Sequence, residues 1–368
     1  METGEFTHDL AVVIGRMQIP HIGHASLLEA AGKLAPKVLV VFGSASQSRD
    51  PRNPFTWEER AQMVALAVDE NLRQRLSFAP MADLFDDLSW AQGVKDSVAA
   101  HAAHATCGDR VVLVGHHKDH TSGYIDLFAD FDKVEVALQH GVHATDLRSA
   151  YFSPAYAKGT VSPVNAFVSR AVADYLLQWS KTPAYEQRVI EHQAIIDYKA
   201  RWSPRGDEKH LTADAMIVCS GRVLMQQRGG VIGHGLWGLP GGFRNPGEPA
   251  VLAALRELEE ETGLALTAEQ IERCFVQSRV FGHPLRSPRG HIETEAFYFD
   301  LGDVRLPHAT PAVDQDGHQE AMAVRWILIE ELAAMREDLF EDHGRIIATL
   351  LQAQAQAKVS LEATVMRL

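Results

Sequence analysis

Short apolar runs alternate with longer amphipathic stretches along the first half of the chain. Leu10 to Ile14, Lys37 to Phe42, Leu76 to Ala79, Val111 to Val114 and Val134 to Leu138 read as strands, and the segments around Ala25 to Leu34 and Trp57 to Val68 read as helices. This alternation predicts an α/β architecture, a parallel sheet with helices on both faces. In such sheets ligands sit beyond the carboxyl ends of the strands. Ala166 to Trp179 predicts a closing helix, Thr182 to Trp202 a charged connecting helix, and Ser203 to His210 an exposed loop. The pattern then changes. Leu211 to Arg228 reads as strand, tight turn at Ser220-Gly221, strand. Further on, Pro249 suits the first turn of a helix and Gly263 the residue just past its end. Inside that helix Val251, Leu252, Leu255 and Leu258 form an apolar stripe. Glu257, Glu260 and Glu261 project together on the opposite side. The resulting division is a first domain over residues 1–180, a helical connector over 181–207 and a second domain over 208–368.

The length of 368 residues fits two domains, and a hydrophobic fraction of 46% is ample for two cores. A net charge of −13 argues against a broad contact surface for nucleic acid. An acidic protein still handles anionic nucleotides through a few placed arginines, helix N-termini and bound metal. Cys107, Cys219 and Cys274 are widely separated and suggest neither a metal site nor a disulfide framework. The N-terminus has no charged-then-apolar signal pattern, and no apolar run approaches about 20 residues. The expectation is a soluble cytoplasmic protein with no membrane partner. Oligomeric state is left open, a homo-oligomer included.

Residues 242–264 satisfy the pattern G-x5-E-x7-R-E-U-x-E-E-x-G-U, with U an aliphatic residue. Its fixed positions are Gly242, Glu248, Arg256, Glu257, Leu258, Glu260, Glu261, Gly263 and Leu264. Three carboxylates crowded on one helix face repel one another unless a cation binds between them. Hard oxygen ligands of this kind select Mg²⁺ or Mn²⁺. A solvated acidic face would account for three glutamates, but not for nine fixed positions over 23 residues. The segment resembles the box of the Nudix hydrolases. The resemblance implies an α/β/α sandwich in which Glu257, Glu260 and Glu261 are metal ligands and catalytic groups, with Glu248 and Arg256 orienting them by pairing. Gly233 to Gly238 also matches G-x-G-x-x-G, but Pro240, Gly241 and Gly242 follow where the dinucleotide fingerprint needs a helix. That stretch is similar instead to the loop preceding Nudix boxes.

The first strand runs into G-R-M-Q-I-P-H-I-G-H, Gly15 to His24. His21 and His24 flank a glycine at a helix N-terminus, where free N–H groups and the dipole attract phosphate. Two surface histidines beside a turn would look the same in a chain with 18 histidines. The segment resembles the signature of the nucleotidylyltransferases, specifically the archaeal-type nicotinamide mononucleotide adenylyltransferases. Gly43 to Arg60 and His143 to Arg148 are similar to further elements of that family. Met17 stands where phenylalanine is usual, proline has moved to Pro20, and His143 replaces a serine.

The resemblance implies a Rossmann-like nucleotidylyltransferase domain for ATP and nicotinamide mononucleotide, with catalytic His21, His24 and Arg148. Gly15, Arg16, Gln18, Arg49, Trp90, Lys118, Asp119 and Thr145 are then the nucleotide-binding residues. Trp90 would stack on the nicotinamide ring, with a core tryptophan as the equal alternative. Chemistry of this type needs no side-chain nucleophile, only positioning and charge stabilisation.

Phe281 to Phe299 is similar to a segment of the ADP-ribose pyrophosphatase domains fused to this adenylyltransferase type, which implies that Arg286 and Arg289 hold a pyrophosphate. The family's R-G-R-x-I-T-H stands here as Arg289 to Glu295, R-G-H-I-E-T-E. Leu339 to Ile347 resembles the C-terminal helix of those fused proteins. Together these resemblances imply a bifunctional enzyme that makes NAD and pyrophosphate and hydrolyses ADP-ribose to AMP and ribose 5-phosphate. Open alternatives are a Nudix unit that only senses ADP-ribose, one that cleaves another nucleoside diphosphate derivative, and a different acceptor such as nicotinic acid mononucleotide. Glu293, Glu295 and Glu320 are candidate general bases that the sequence does not rank.

Overall fold

The computed structural model describes residues 6–83, 86–105, 108, 110–116, 126–137, 141–153, 156, 163–203, 205, 208–312 and 319–365. The chain forms two compact units, residues 1–192 and 193–368. Their division falls inside the helix Pro183–Trp202, within the stretch assigned above to a connector.

Unit 1 is built on five parallel strands. They are β1 (Leu10–Gly15), β2 (Val38–Phe42), β3 (Leu76–Pro80), β4 (Val111–Gly115) and β5 (Asp132–Glu135), ordered β3-β2-β1-β4-β5. Strands buried on both faces read as unbroken apolar runs. That is why β1 and β2 stand out in the sequence, while edge strand β5 starts two residues before the run expected at Val134. Ala11, Val13, Val38, Val40 and Phe42 pack under α1 (Ile22–Leu34) and α2 (Trp57–Ala67). A single helical turn, α3 (Glu70–Arg73), precedes β3. On the other face Leu10, Val12, Leu39 and Val41 meet Ala91, Val94 and Val98 of α4 (Asp87–Ala105). A third cluster joins Phe55, Tyr151, Phe152, Trp179 and Tyr185 around α5 (Ala144–Tyr151), α6 (Arg170–Trp179) and the start of α7 (Pro183–Trp202). The strand order reverses at β1, so the crevice beyond its carboxyl end is where a ligand belongs.

Unit 2 is a mixed sheet of β6 (Lys209–Cys219), β7 (Arg222–Arg228), β8 (Trp237–Gly238), β9 (Gly241–Phe243), β10 (Phe275–Phe281), β11 (His291–Asp300) and β12 (Ala321–Leu328). The order is β10-β11-β6-β7-β12, with β8 on β7 and β9 on β6. Central strand β6 pairs in parallel with β11 over ten residues. One face carries α8 (Ala250–Thr262) and α9 (Ala268–Cys274) on Ala213, Ala215, Ile217, Phe297 and Phe299. The other carries α10 (His343–Val365) on Met216, Val218, Met225 and Tyr298. This is an α/β/α sandwich. No helix opens through Gly233 to Gly238, which turns directly into β8.

One residue of the expected apolar stripe misses the core in α8. Leu258 is buried and Val251 and Leu255 pack against the core, but Leu252 is 54% exposed and Ala253 and Ala254 are buried instead. The helix lies close against small residues of β6, so its alanines take the contact there. Glu261 is buried too, within electrostatic reach of Glu257. Among the described residues no helix is long and apolar enough to cross a membrane.

Candidate active sites

In unit 1 the backbone leaving β1 is contorted. Met17 and Ile19 adopt φ of 46° and 71°, conformations that cost roughly 1–3 kcal/mol each outside glycine. Two side chains hold the loop. The Gln18 amide donates to the carbonyl of Phe55 and accepts its N–H, both at 3.1 Å. Fully buried Arg60 donates to the carbonyls of Arg16 (2.7 Å), Gly43 (2.8 Å), Ser44 and Thr56, and stacks 5.1 Å from the Phe42 centroid. Burial brings its pKa down to about 10, so it stays charged at neutral pH. Sequence reading assigned Arg60 no role. Its only signal was its place in the N-P-F-T-W-E-E-R stretch beside Phe55.

The braced loop delivers His21 to the N-cap of α1. His21 Nδ1 accepts the N–H of Gly23 at 3.1 Å, and His24 Nδ1 accepts the N–H of His21 at 3.2 Å. With both Nδ1 atoms accepting from main chain, each neutral ring carries its proton on Nε2. The rings lie 4.0 Å apart. They open on a cavity of about 210 Å³ also lined by Arg16, His143, Thr145 and Arg148. Arg148 donates to the carbonyl of Gln18 at 3.0 Å and to Thr145 Oγ1 at 3.1 Å. Burial brings its pKa down to about 10.

The structure does not bring every expected residue here. The Gln18 side chain lines the cavity, but both ends of its amide are spent on Phe55. Arg49 pairs with both carboxylate oxygens of Glu59 and with the carbonyl of Pro54, and is not in the cavity wall. Trp90 packs edge-on against Phe128, centroids 6.0 Å apart, in the α4 layer. Lys118 and Asp119 lie outside the described residues.

In unit 2 the acidic helix is organised by one arginine. Arg256 donates from Nε and Nη2 to both oxygens of Glu248, and from Nη1 to Glu257 and Glu260 at 2.8 Å each. A fifth bond reaches the carbonyl of Phe243. Glu261 accepts the N–H of Gly241 at 3.0 Å and the amide of Gln226 at 3.3 Å. Burial raises its pKa well above the ordinary value and that of Glu257 to about 7. Gly242 permits the approach, because a Cβ there would fall 2.5 Å from the Glu257 carboxylate. Among the described residues no three metal-ligating side chains already converge, and Arg256 stands between Glu257 and Glu260. The donor set nevertheless fits a divalent cation, as hard carboxylate oxygens, two of them buried against their ionisation, are relieved by added positive charge.

Beside these groups lies a cavity of about 280 Å³ lined by Asp214, Arg228, Glu257, Glu320, Phe340 and His343 among others. Arg286 and Arg289 line it too, but as halves of ion pairs. Arg286 holds both oxygens of Asp342 (3.2 and 2.6 Å), and Arg289 pairs with Glu341 at 3.2 Å. Arg228 differs. Its Nε donates to the carbonyl of Ile232 at 3.3 Å and its guanidinium lies 4.1 Å from the Phe340 centroid. Neither Nη atom has a hydrogen-bond partner among the described residues. The sequence reading missed Arg228, whose only mark was its place at a strand end before two glycines. Of the three candidate bases, Glu293 pairs with Lys209 at 2.7 Å and Glu295 accepts from Ser278 at 2.9 Å. Only Glu320 lines the cavity.

The folds and sites define a nucleotidylyltransferase unit joined to a Nudix unit, and comparison with known proteins agrees. A cytidylyltransferase-like family matches residues 12–92 and the NUDIX domain family residues 208–350. The nicotinamide/nicotinic acid mononucleotide adenylyltransferase of Acinetobacter baylyi is 30% identical over 179 residues, 47% of this chain and 94% of that one. The chain belongs to this adenylyltransferase family and carries a NUDIX domain after it. The ADP-ribose pyrophosphatase of Methanocaldococcus jannaschii is 29% identical over 117 residues, 32% of this chain and 63% of that one. The chain spans about half the length of the archaeal nicotinamide-nucleotide adenylyltransferases it matches, 50% for that of Aeropyrum pernix. Across both units it superposes on a bifunctional NMN adenylyltransferase/ADP ribose pyrophosphatase from Francisella tularensis. The TM-score is 0.82 at 29% identity, covering 94% of this chain and 99% of that one. A second structure of that protein is complexed with AMP and a manganese ion.

Proposed function

We propose that the chain is a bifunctional enzyme of NAD metabolism, acting in the cytoplasm. Unit 1 joins ATP and nicotinamide mononucleotide into NAD and pyrophosphate, and unit 2 hydrolyses ADP-ribose to AMP and ribose 5-phosphate. The single observation carrying this reading is the match over 94% of this chain to the Francisella protein, which is named for both activities. Free, buried Cys219 and Cys274 support the cytoplasmic location.

In unit 1 a phosphate oxygen of the mononucleotide attacks the α-phosphorus of ATP and the bond to pyrophosphate breaks. His21, His24, Arg16, Thr145 and Arg148 hold the phosphate oxygens and stabilise their charge. Gln18 and Arg49 act by bracing, Gln18 the loop after β1 and Arg49 the start of α2. Trp90, Lys118 and Asp119 remain expectations carried by the resemblance.

In unit 2 Glu257, Glu260 and Glu261 would hold a divalent cation, Mg²⁺ by preference and Mn²⁺ as substitute. When bound it supplies charge neutralisation and water activation. Arg256 and Glu248 orient those carboxylates. Arg228 offers its two Nη groups to the diphosphate, while Arg286 and Arg289 shape the wall through their ion pairs. Glu320 takes the proton of the attacking water.

A binding-only Nudix unit is the second reading, favoured by Arg256 occupying the space between Glu257 and Glu260. Incubation with ATP, nicotinamide mononucleotide and Mg²⁺, and separately with ADP-ribose and Mg²⁺ or Mn²⁺, tests both units by chromatography of products. Absence of NAD ends the first assignment. ADP-ribose bound but left intact with either metal moves unit 2 to the second reading.

A further inference from the structure

Two polar side chains in the wall of the unit 2 cavity are almost wholly buried and only half used. Asp214 is 5% exposed, and its Oδ2 accepts from Thr294 Oγ1 at 2.6 Å. Its Oδ1 has no hydrogen-bond partner among the described residues. His343 is 6% exposed, and its Nδ1 accepts the N–H of Leu239 at 2.9 Å. That bond fixes the tautomer, so Nε2 carries the hydrogen, and Nε2 also has no partner among the described residues. Both residues line the same cavity and flank one segment. Asp214 lies opposite Gly241 in the β6–β9 pair, and His343 lies against Gly238, where a Cβ would sit 3.2 Å from Nδ1. The two residues stand in the cavity wall, so a ligand in the cavity can meet the remaining donor and acceptor.

The chemistry of the pair selects the ligand group. A carboxylate repels phosphate, and burial drives the His343 pKa down to about 3, so the ring stays neutral and is no anion receptor. One atom that both donates and accepts, a hydroxyl oxygen, satisfies both. We propose that Asp214 and His343 form a hydroxyl-recognition site for the sugar on the distal phosphate of a nucleoside diphosphate. The pair thereby sets a preference for diphosphate–sugar esters over nucleoside triphosphates. This rests on the reading of unit 2 as an ADP-ribose unit and names the residues that read its distal half.

Titration calorimetry of the full chain in EDTA tests it, with ADP-ribose and with ADP whose distal phosphate carries only a methyl ester. Metal-free binding separates this question from hydrolysis. The wild type should prefer ADP-ribose by about tenfold or more, the scale of one hydrogen bond to a charged group. Asp214→Asn and His343→Asn should bring the two ligands within about threefold. His343→Gln places an amide N–H near the Nε2 position and His343→Asn an acceptor near Nδ1, so the proposal requires the Gln variant to keep more of the preference. A purely structural histidine predicts the reverse order. No preference in the wild type, equal weakening of both ligands, or Asn outperforming Gln overturns the proposal. Failure of the wild type to cleave ADP-ribose with Mg²⁺ would instead remove the hydrolase reading and leave the binding comparison to decide this one.

Discussion

Arg60 carries a full charge into unit 1 with no carboxylate bonded to it among the described residues, and its hydrogen bonds end on carbonyl oxygens of three different segments. Replacing it by Met fills the space but strands those carbonyls, at about 1–3 kcal/mol for a buried unsatisfied group. Arg60→Met should therefore lower the unfolding midpoint of unit 1 and slow NAD synthesis, leaving ADP-ribose hydrolysis within about twofold. Hydrolysis falling in parallel would show that the arginine does more than brace the loop. His24 is the complementary test. His24→Ala removes one fixed donor from the cavity and should cut NAD formation by roughly 10²–10³, with the fold intact by circular dichroism. The histidines were readable because two imidazoles and a glycine opening a helix make a local pattern. Arg60 was not, since its partners are main-chain atoms up to 44 residues away and carbonyls leave no trace in sequence.

At the level of elements, the apolar runs located the strands of the first sheet and the β6–β7 hairpin of the second, because burial demands them, while β10, β11 and β12 were not read as strands. Nor did the sequence show that Leu252 of α8 lies outside the core. Helical spacing permits Leu252 as well as Ala253 and Ala254 beside Leu258, and only the small residues of β6 decide between them. The start of α10 carries a second consequence. His343 is held neutral, its pKa lowered from 6.5 to about 3 chiefly by burial. Between those values the unfolded chain binds more protons, so this residue contributes stability above pH 6.5 that is lost as pH falls towards 3. Asp214, raised from 3.8 to about 6 by burial, works in the opposite sense and weakens the fold as pH rises through that window. Relative to wild type, His343→Gln should flatten the loss of unit 2 stability on acidification, and Asp214→Asn should steepen it. Denaturant midpoints from pH 4 to 7 measure both, and matching curves for all three proteins would contradict the assignment.

Across the whole molecule, the proposed chemistry is divided between the two units, with His21 and His24 before residue 192 and the acidic helix after it. A Glu261→Gln variant should lose hydrolysis while keeping NAD synthesis within a few-fold, and simultaneous loss in a folded variant would point to one composite site. The pairing of β6 with β11 adds a constraint in time. Residues 209–218 wait for residues 291–300 before the centre of the second sheet exists, and contacts so distant along the chain form slowly. During synthesis, the described strands of unit 1 are complete by residue 135, whereas the acidic helix leaves the ribosome well before the strand that completes the sheet beneath it. A chain stalled before residue 291 would thus retain the parts for making a dinucleotide and have no means of dismantling one.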